Sequence, residues 1–465
     1  MSFPRYPEYK DSGVEWLGEV PAHWSTRPLW TLFRRIKRSG FINETLLSVY
    51  RDYGVIPKSS RADNFNKPSE DLAPYQLVEV GDLAINKMKA WQGSVAISNY
   101  RGIVSPAYFV YANENEEDAR YLHYLFRCNE YTHGYLSRSK GIRVNQWDLE
   151  PQEHSRMEVL LPPRAEQVQI ATFLNHETGK IDALIEEQRR LIELLKEKRQ
   201  AVISHAVTKG LDPNVPMKDS GVEWLGEVPA HWTVAALRWY ATIQGGLAKG
   251  KKYGLDEPVV SRPYLRVANV QDGHFNLSAV HDVAVGLSEV SRYELREGDV
   301  LMNEGGDSDK LGRGAVWHGA IEGCLHQNHV FAIRPNRHLS ATWLSMFTRS
   351  DPARSYFYLY SKQSTNLASI SSRNVMACPV PIPPIEEQRE ILGRLSGALV
   401  QIDRLKDETE GAMALLQERR SALISAAVTG KIDVRGWAAG TGQEEHELPM
   451  VAEESVGYSA QGGAA

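Results

Sequence analysis

The chain has 465 residues, 42% apolar and 24% charged, with a net charge of −5. That length holds two to four domains with ample core, and the composition excludes global disorder and any run near the roughly 18 apolar residues of a membrane span. The first residues predict no secretory leader, and the three distant cysteines, Cys128, Cys324 and Cys378, predict neither a disulfide framework nor a CxxC zinc site, so a cytoplasmic setting is expected.

The first element in chain order is Lys10 to Trp24, which returns unchanged as Lys218 to Trp232, fifteen identical residues at an offset of 208. The chain is therefore two copies of one long unit, far longer than a solenoid repeat. A variable segment, 24–161, follows the first opening stretch. It carries 18 basic against 16 acidic residues, an excess that permits nucleic-acid binding without demanding it. Gly81-Asp82-Leu83 marks a strand, and Tyr121–Phe126 a helix.

Pro162-Pro163-x-x-Glu166-Gln167 then opens a helix over 164–208, with proline before it and acid in its first turn. Ile181, Leu184, Leu191, Leu195 and Val202 fall on a heptad seam interrupted at Gln188 and Lys198. The rod from 180 to 206 would be ~40 Å long, and its seam needs a partner.

The second variable segment, 232–382, shares only sparse anchors with the first. Gly298-Asp299-Val300 answers Gly81-Asp82-Leu83, and Asn303 answers Asn86. Strands are expected at Tyr264–Val270, Gly298–Met302 and His329–Ile333, a turn at Asp272-Gly273, and a helix at Trp343–Phe347. Pro383-Pro384-x-x-Glu387-Gln388 repeats the junction at an offset of 221, which then holds to Asp433. The second seam reads Ile402, Leu405, Ala412, Leu416 and Leu423, interrupted at Thr409 and Arg419. The other copy's rod is its expected partner; packing on its own domain is the alternative. Residues 436–465 hold Glu444, Glu445, Glu447, Glu453 and Glu454 without Lys or Arg and are expected to be a disordered acidic tail.

Catalytic signatures fail on chemistry. Gly245 to Lys252 imitates a P-loop, but Lys252 stands where Ser or Thr must hold Mg²⁺. Leu161-Pro162-Pro163 and Ile382-Pro383-Pro384 lack the Asp or Asn that an amino-methyltransferase needs before its proline pair. The one Glu-x-Lys, Glu8-Tyr9-Lys10, has no upstream acid, and His326 with His329 lacks further metal ligands. GxSxG and HExxH do not occur.

Binding remains. Basic stretches with glycine, aromatic or amide residues recur: Lys87, Lys89 and Trp91; Lys140, Arg143 and Asn145; Lys249, Lys251 and Lys252; Lys310 and Arg313; Gln363 and Asn366. Such side chains pair with phosphates and base edges, and these thirteen are the candidate DNA contacts.

The repeated opening segment, the Gly-Asp strands, the paired Pro-Pro-x-x-Glu-Gln junctions and the Val-Thr helix ends resemble the specificity subunits of type I restriction–modification systems over residues 9–435. The resemblance implies an α+β fold: two mixed α/β target-recognition domains separated by two long antiparallel helices in a pseudo-twofold tandem repeat. The corresponding divisions are 1–161, 162–212, 213–382, 383–435 and the tail 436–465. It also implies a non-catalytic subunit that reads a bipartite, asymmetric double-stranded DNA site. Two modification subunits with S-adenosylmethionine, and restriction subunits using ATP and Mg²⁺, would be its partners, with no cofactor or metal in this chain. A coiled-coil adaptor that binds only protein and a standalone DNA-modifying enzyme are the competing readings.

Overall fold

The computed structural model describes residues 3–51, 53–61, 68–143, 146–254, 256–306, 311–364 and 368–438. The chain divides into two compact units, residues 1–187 with 413–465, and residues 188–412. Two long helices each contribute to both units: the central helix, Arg164–Lys209, has 46 residues and the C-terminal helix, Ile385–Val428, has 44. No helix among the described residues is long and apolar enough to cross a membrane.

The first unit is built on a four-stranded antiparallel sheet, in the order Phe33–Ile36, Tyr108–Asn113, Leu83–Asn86, Val95–Ile97. Strand alternation sends Leu83, Ile85, Val95 and Ile97 to a core shared with helix Ala119–Leu125 and with Tyr131 and Tyr135. Ala84, Ala96 and Val110 face the other way, against the hairpin Leu47–Tyr50 with Gly54–Pro57.

The second unit repeats this sheet as Ala241–Gly245, Val330–Pro335, Val300–Asn303, Gly314–Val316. Its far side is covered differently. Val259–Leu265 lies between antiparallel His281–Gly286 and parallel Leu325–His326. The strand expected at Tyr264–Val270 stops at Leu265 and becomes a 3-10 turn, Val267–Asn269. The Asn269 side chain accepts from the Arg266 N–H at 2.9 Å and so draws the backbone out of the ladder.

The sparse sequence anchors prove to be sheet corners. Asp82 accepts from the Glu79 N–H at 2.9 Å and from Arg38 at 2.7 Å. Asp299 does the same with the Arg296 N–H at 2.8 Å and with both arms of Arg334 at 2.7 Å.

The junction motif is a two-sided clasp. Buried Glu166 accepts from the Trp24 indole at 3.0 Å, meets His23 Nε2 at 2.9 Å and accepts from the Tyr6 hydroxyl. Glu387 repeats this with Trp232 at 2.9 Å and His231 at 2.8 Å. The glutamine beside each one turns inward. Gln167 donates to the Pro162 carbonyl and accepts from the Asp118 N–H, both at 2.9 Å. Gln388 donates to the Pro383 and His338 carbonyls and accepts from the Ser340 N–H, each at 2.9 Å. The glutamate thus ties the long helix to the opening segment, and the glutamine ties it to the start of a domain helix.

The seam of the long helices differs from the expected one. Leu184, Leu191 and Leu405 are 45%, 41% and 52% exposed, and Ala412 is also exposed. Ile181, Ile185, Ile192 and Leu195 are buried on the central helix, as are Leu395, Leu399, Ile402 and Thr409 on the C-terminal helix; Val202, Leu416 and Leu423 are half-buried. Both registers share 181, 188, 195 and 202, but the alternate track is 185, 192 and 199 rather than 184, 191 and 198. One residue is about 100° of helix rotation, which turns the leucines out. The arginines on the 199/420 track mark the choice. In the second unit Arg199 meets Asp403 at 2.9 Å, and in the first Arg420 meets Asp182 at 2.7 and 3.1 Å. These are one ion pair repeated at the 221 offset, and in each unit the two helix portions run antiparallel.

The first unit also gathers both ends of the described chain. The Asp433 N–H donates to the Pro4 carbonyl at 2.8 Å, and Arg435 lies 4.8 Å over the Tyr6 ring. Trp437, assigned to the tail by composition, instead packs edge-on against Phe173 at 5.3 Å, because an indole gains more from burial than the surrounding glycines lose. The remainder of the expected tail, 439–465, lies outside the described residues.

Two histidines make this unit acid-sensitive. Burial lowers His123 from 6.5 to about 4 and His154 to about 3, so both stay neutral when folded and take up protons on unfolding. Their stabilising share is complete above pH 6.5 and is lost as pH falls toward 4. Melting temperature should therefore fall across that window, with a shallower fall in His154→Phe. A slope identical to that of the parent chain would contradict the assignment.

Candidate nucleic-acid interface

In the first unit, the 3-10 turn Ala90–Gln92 meets the hairpin Ser139–Arg143 with Gln146–Leu149. The Trp91 and Trp147 rings sit 4.9 Å apart, the Trp91 indole donates to the Met88 carbonyl at 3.1 Å, and the Leu149 N–H donates to the Lys87 carbonyl at 3.1 Å. Lys87, Lys89 and Trp91 are thereby brought beside the hairpin that carries Lys140 and Arg143. Lys89 and Lys140 are exposed, whereas half-buried Lys87 lies 3.4 Å from Asp148. Arg143 is described only as strand backbone, and Asn145 lies outside the described residues.

The sequence reading missed a third turn. The hairpin Leu47–Tyr50 with Gly54–Pro57 turns through Arg51 and Tyr53, and Arg51 lies 3.6 Å from where a Gly93 Cβ would stand. Arg61 stacks 4.7 Å from the Tyr53 ring and 5.0 Å from the Tyr50 ring. Gly54, at φ +71°, is the signal that was available: a glycine closing a short basic-aromatic turn between two apolar strands.

In the second unit, Gln363 is exposed on Lys362–Gln363, which pairs with Ala368–Ser369 and through it with Gly305–Gly306. Arg313 is half-buried, and its carbonyl accepts from the Asn303 N–H at 2.9 Å. Lys310 and Asn366 lie outside the described residues. Lys249, Lys251 and Lys252 occupy a different loop, after Ala241–Gly245, and are exposed. The Lys251 ammonium contacts both Glu289 oxygens at 2.6 Å, so this lysine is matched within its own unit.

Each unit thus presents short basic and amide-bearing turns on the connections and small sheets that accompany its own four-stranded sheet. Among the described residues no group of His, Cys, Asp or Glu could hold a metal ion. His326 is buried with Nδ1 2.7 Å from the Val330 carbonyl, and His329 pairs with Glu304 at 2.7 Å. What the turns offer chemically is charge, stacking and hydrogen bonding.

No protein-family model matches the chain. It is 21% identical over 449 residues to the EcoKI specificity subunit of Escherichia coli strain K12, covering 91% of this chain and 92% of that protein. The StySPI specificity subunit of Salmonella potsdam is 22% identical over 450 residues, with 91% and 92% covered. The putative MjaX specificity subunit of Methanocaldococcus jannaschii is 22% identical over 442 residues, with 90% and 96% covered. A solved structure concerned with complex assembly and conformational transition of the type I restriction–modification system shares the fold. It matches at a TM-score of 0.62 and 18% identity over 88% of this chain and 98% of that one. The duplicated frame, the fold and these relatives point the same way, to similarity with subunits of restriction–modification systems. All three of these relatives are type I specificity subunits, and the chain is similar to each over at least 90% of its own length.

Proposed function

We propose that this chain reads a bipartite, asymmetric double-stranded DNA site, one half with each unit, and recruits two modification subunits that methylate adenine. The observation that carries this reading is a conserved frame with unlike fillings. The four-stranded sheet, the Glu-Gln clasp and the Asp–Arg helix pair recur in both units, while the turns that accompany the sheet differ. Two unlike surfaces on one scaffold suit two unlike half-sites. Recognition belongs to 1–161 and 213–382, and the helical divisions 162–212 and 383–435 join them. The chain itself is non-catalytic and without cofactor; S-adenosylmethionine sits in the modification subunits, and ATP and Mg²⁺ in restriction subunits, all in the cytoplasm.

The leucines turned away from the helix seam support recruitment. Leu184 with Leu405, and Leu194 with Leu415, are exposed pairs at the 221 offset, joined by exposed Leu191. An apolar stripe kept in both copies suits a partner present twice.

Replacing residues 24–161 with the first variable segment of another specificity subunit should change one half of the methylated sequence and leave the other half intact. Mapping of methylated adenine in cells carrying the chimera with its modification subunit would read this out. A continuous or palindromic methylated sequence would refute the two-reader arrangement.

A further inference from the structure

Beyond the helices, both units expose an indole on the same turn. The strand Ser25–Pro28 pairs with Glu158–Leu161 and runs into the 3-10 turn Leu29–Thr31. The strand Thr233–Ala236 pairs with Pro379–Ile382 and runs into the turn Leu237–Trp239. The two turns are anchored alike. The Leu29 N–H donates to the Met157 carbonyl at 2.8 Å and the Leu237 N–H to the Cys378 carbonyl at 2.9 Å, and both leucines are buried. From these fixed bases Trp30 stands 63% exposed and Trp239 70% exposed, reached from the second position of one turn and the third of the other.

Each indole has arginine company. Trp30 lines a hollow of about 320 Å³ with Arg35, Pro151, Gln152, Ser155 and Arg156. Nearby Arg27 and Arg34 are paired with Glu117 and Glu114, but Arg35 and Arg156 have no carboxylate partner among the described residues; Arg35 stacks 4.6 Å from the Phe109 ring. In the second unit Arg238 lies 5.8 Å over the Trp239 ring, again without a carboxylate among the described residues.

We infer that these two turns are docking points for an acidic segment with an apolar side chain on the modification subunit, one copy per unit. The inference rests on the assembly reading above and adds a contact away from the helices. Three observations lead to it. Although it lies within the variable segments in sequence, the turn recurs on the same paired strands in both units, so it faces something that is the same at both. Unpaired arginines select an anion. An indole exposed on a rigid base gains its free energy by entering an apolar pocket, as interface hot spots do. A duplex backbone, the other repeated anion in the assembly, offers phosphate but no such pocket.

The test uses the full-length chain with purified modification subunit. Trp30→Ala with Arg156→Ala removes one docking point, and Arg238→Ala with Trp239→Ala removes the other. Native mass spectrometry should show two modification subunits on the parent chain. At the same concentration each double variant should hold one, with affinity at the altered unit weakened at least about tenfold. The combined variant should lose both. All four residues are exposed, so melting should be unchanged. Retention of two subunits at parent affinity by the combined variant would overturn the inference. So would an unchanged assembly accompanied by weaker, more salt-sensitive DNA binding, the mark of a phosphate contact. A parent chain that binds no modification subunit would instead defeat the assembly reading, and this inference with it.

Discussion

Leu195→Asp is expected to destabilise the chain by about 3–5 kcal/mol, whereas Leu191→Asp, one helical turn earlier, should cost under about 1 kcal/mol. Leu195 is buried in the second unit beside the Arg199–Asp403 pair, so an aspartate there would have to shed water or its charge and would forfeit the apolar contact. Leu191 stands 41% exposed on the same helix, and an aspartate there stays hydrated. The two variants separate folding from assembly. Leu191→Asp should melt like the parent yet bind modification subunit more weakly, because it charges the exposed apolar stripe. Denaturant unfolding and co-purification measure the two effects. Equal destabilisation by both substitutions would return the seam to the 184/191 register.

Glu166→Leu should cost about 3–5 kcal/mol and exceed Glu387→Leu, for which about 1–2 kcal/mol is expected. Glu166 is buried and accepts from the Tyr6 hydroxyl and the Trp24 indole while meeting His23. Leucine would leave the indole and the phenol buried without an acceptor, each at about 1–3 kcal/mol. Glu387 serves Trp232 and the exposed His231, and its own side chain is 29% exposed, so water can replace part of what it gives. Equal losses, measured by thermal unfolding, would mean that Tyr6 adds nothing to the first clasp.

The duplication made much of this architecture legible. Identity at Lys10–Trp24 and Lys218–Trp232, then at the two junctions, located both long helices to within a residue or two, because proline and the acidic first turn are local signals. The seam register was not legible. Leucines at 184, 191 and 405 fit a heptad as well as the isoleucines at 185 and 192, and only the position of the partner helix distinguishes them. The roles of Glu166 and Gln167 were also hidden, since each acts on residues far off in sequence, Trp24 and Asp118. Among the candidate contacts, Lys87 and Lys251 were legible as basic but not as matched, because Asp148 and Glu289 are 61 and 38 positions away. Arg51 and Tyr53 stand outside any glycine-rich basic run, and only the folding of the hairpin Leu47–Tyr50 with Gly54–Pro57 brings Arg51 beside Gly93.

Residues 188–412 form a continuous stretch, whereas the other unit needs residues 413–437 to complete it. Synthesis therefore meets the two units in an unexpected order. The second unit has all its residues as soon as Ala412 leaves the ribosome. The first, although made earliest, waits with Trp24 and Phe173 uncovered until Val428 and Trp437 arrive. Its closing contact, Asp433 to Pro4, spans 429 positions, the kind of distant pairing that folds slowly and invites holding by chaperones. A nascent chain stalled just after Ala412 has emerged from the ribosome should carry a finished second unit and an open first one, distinguishable by limited proteolysis.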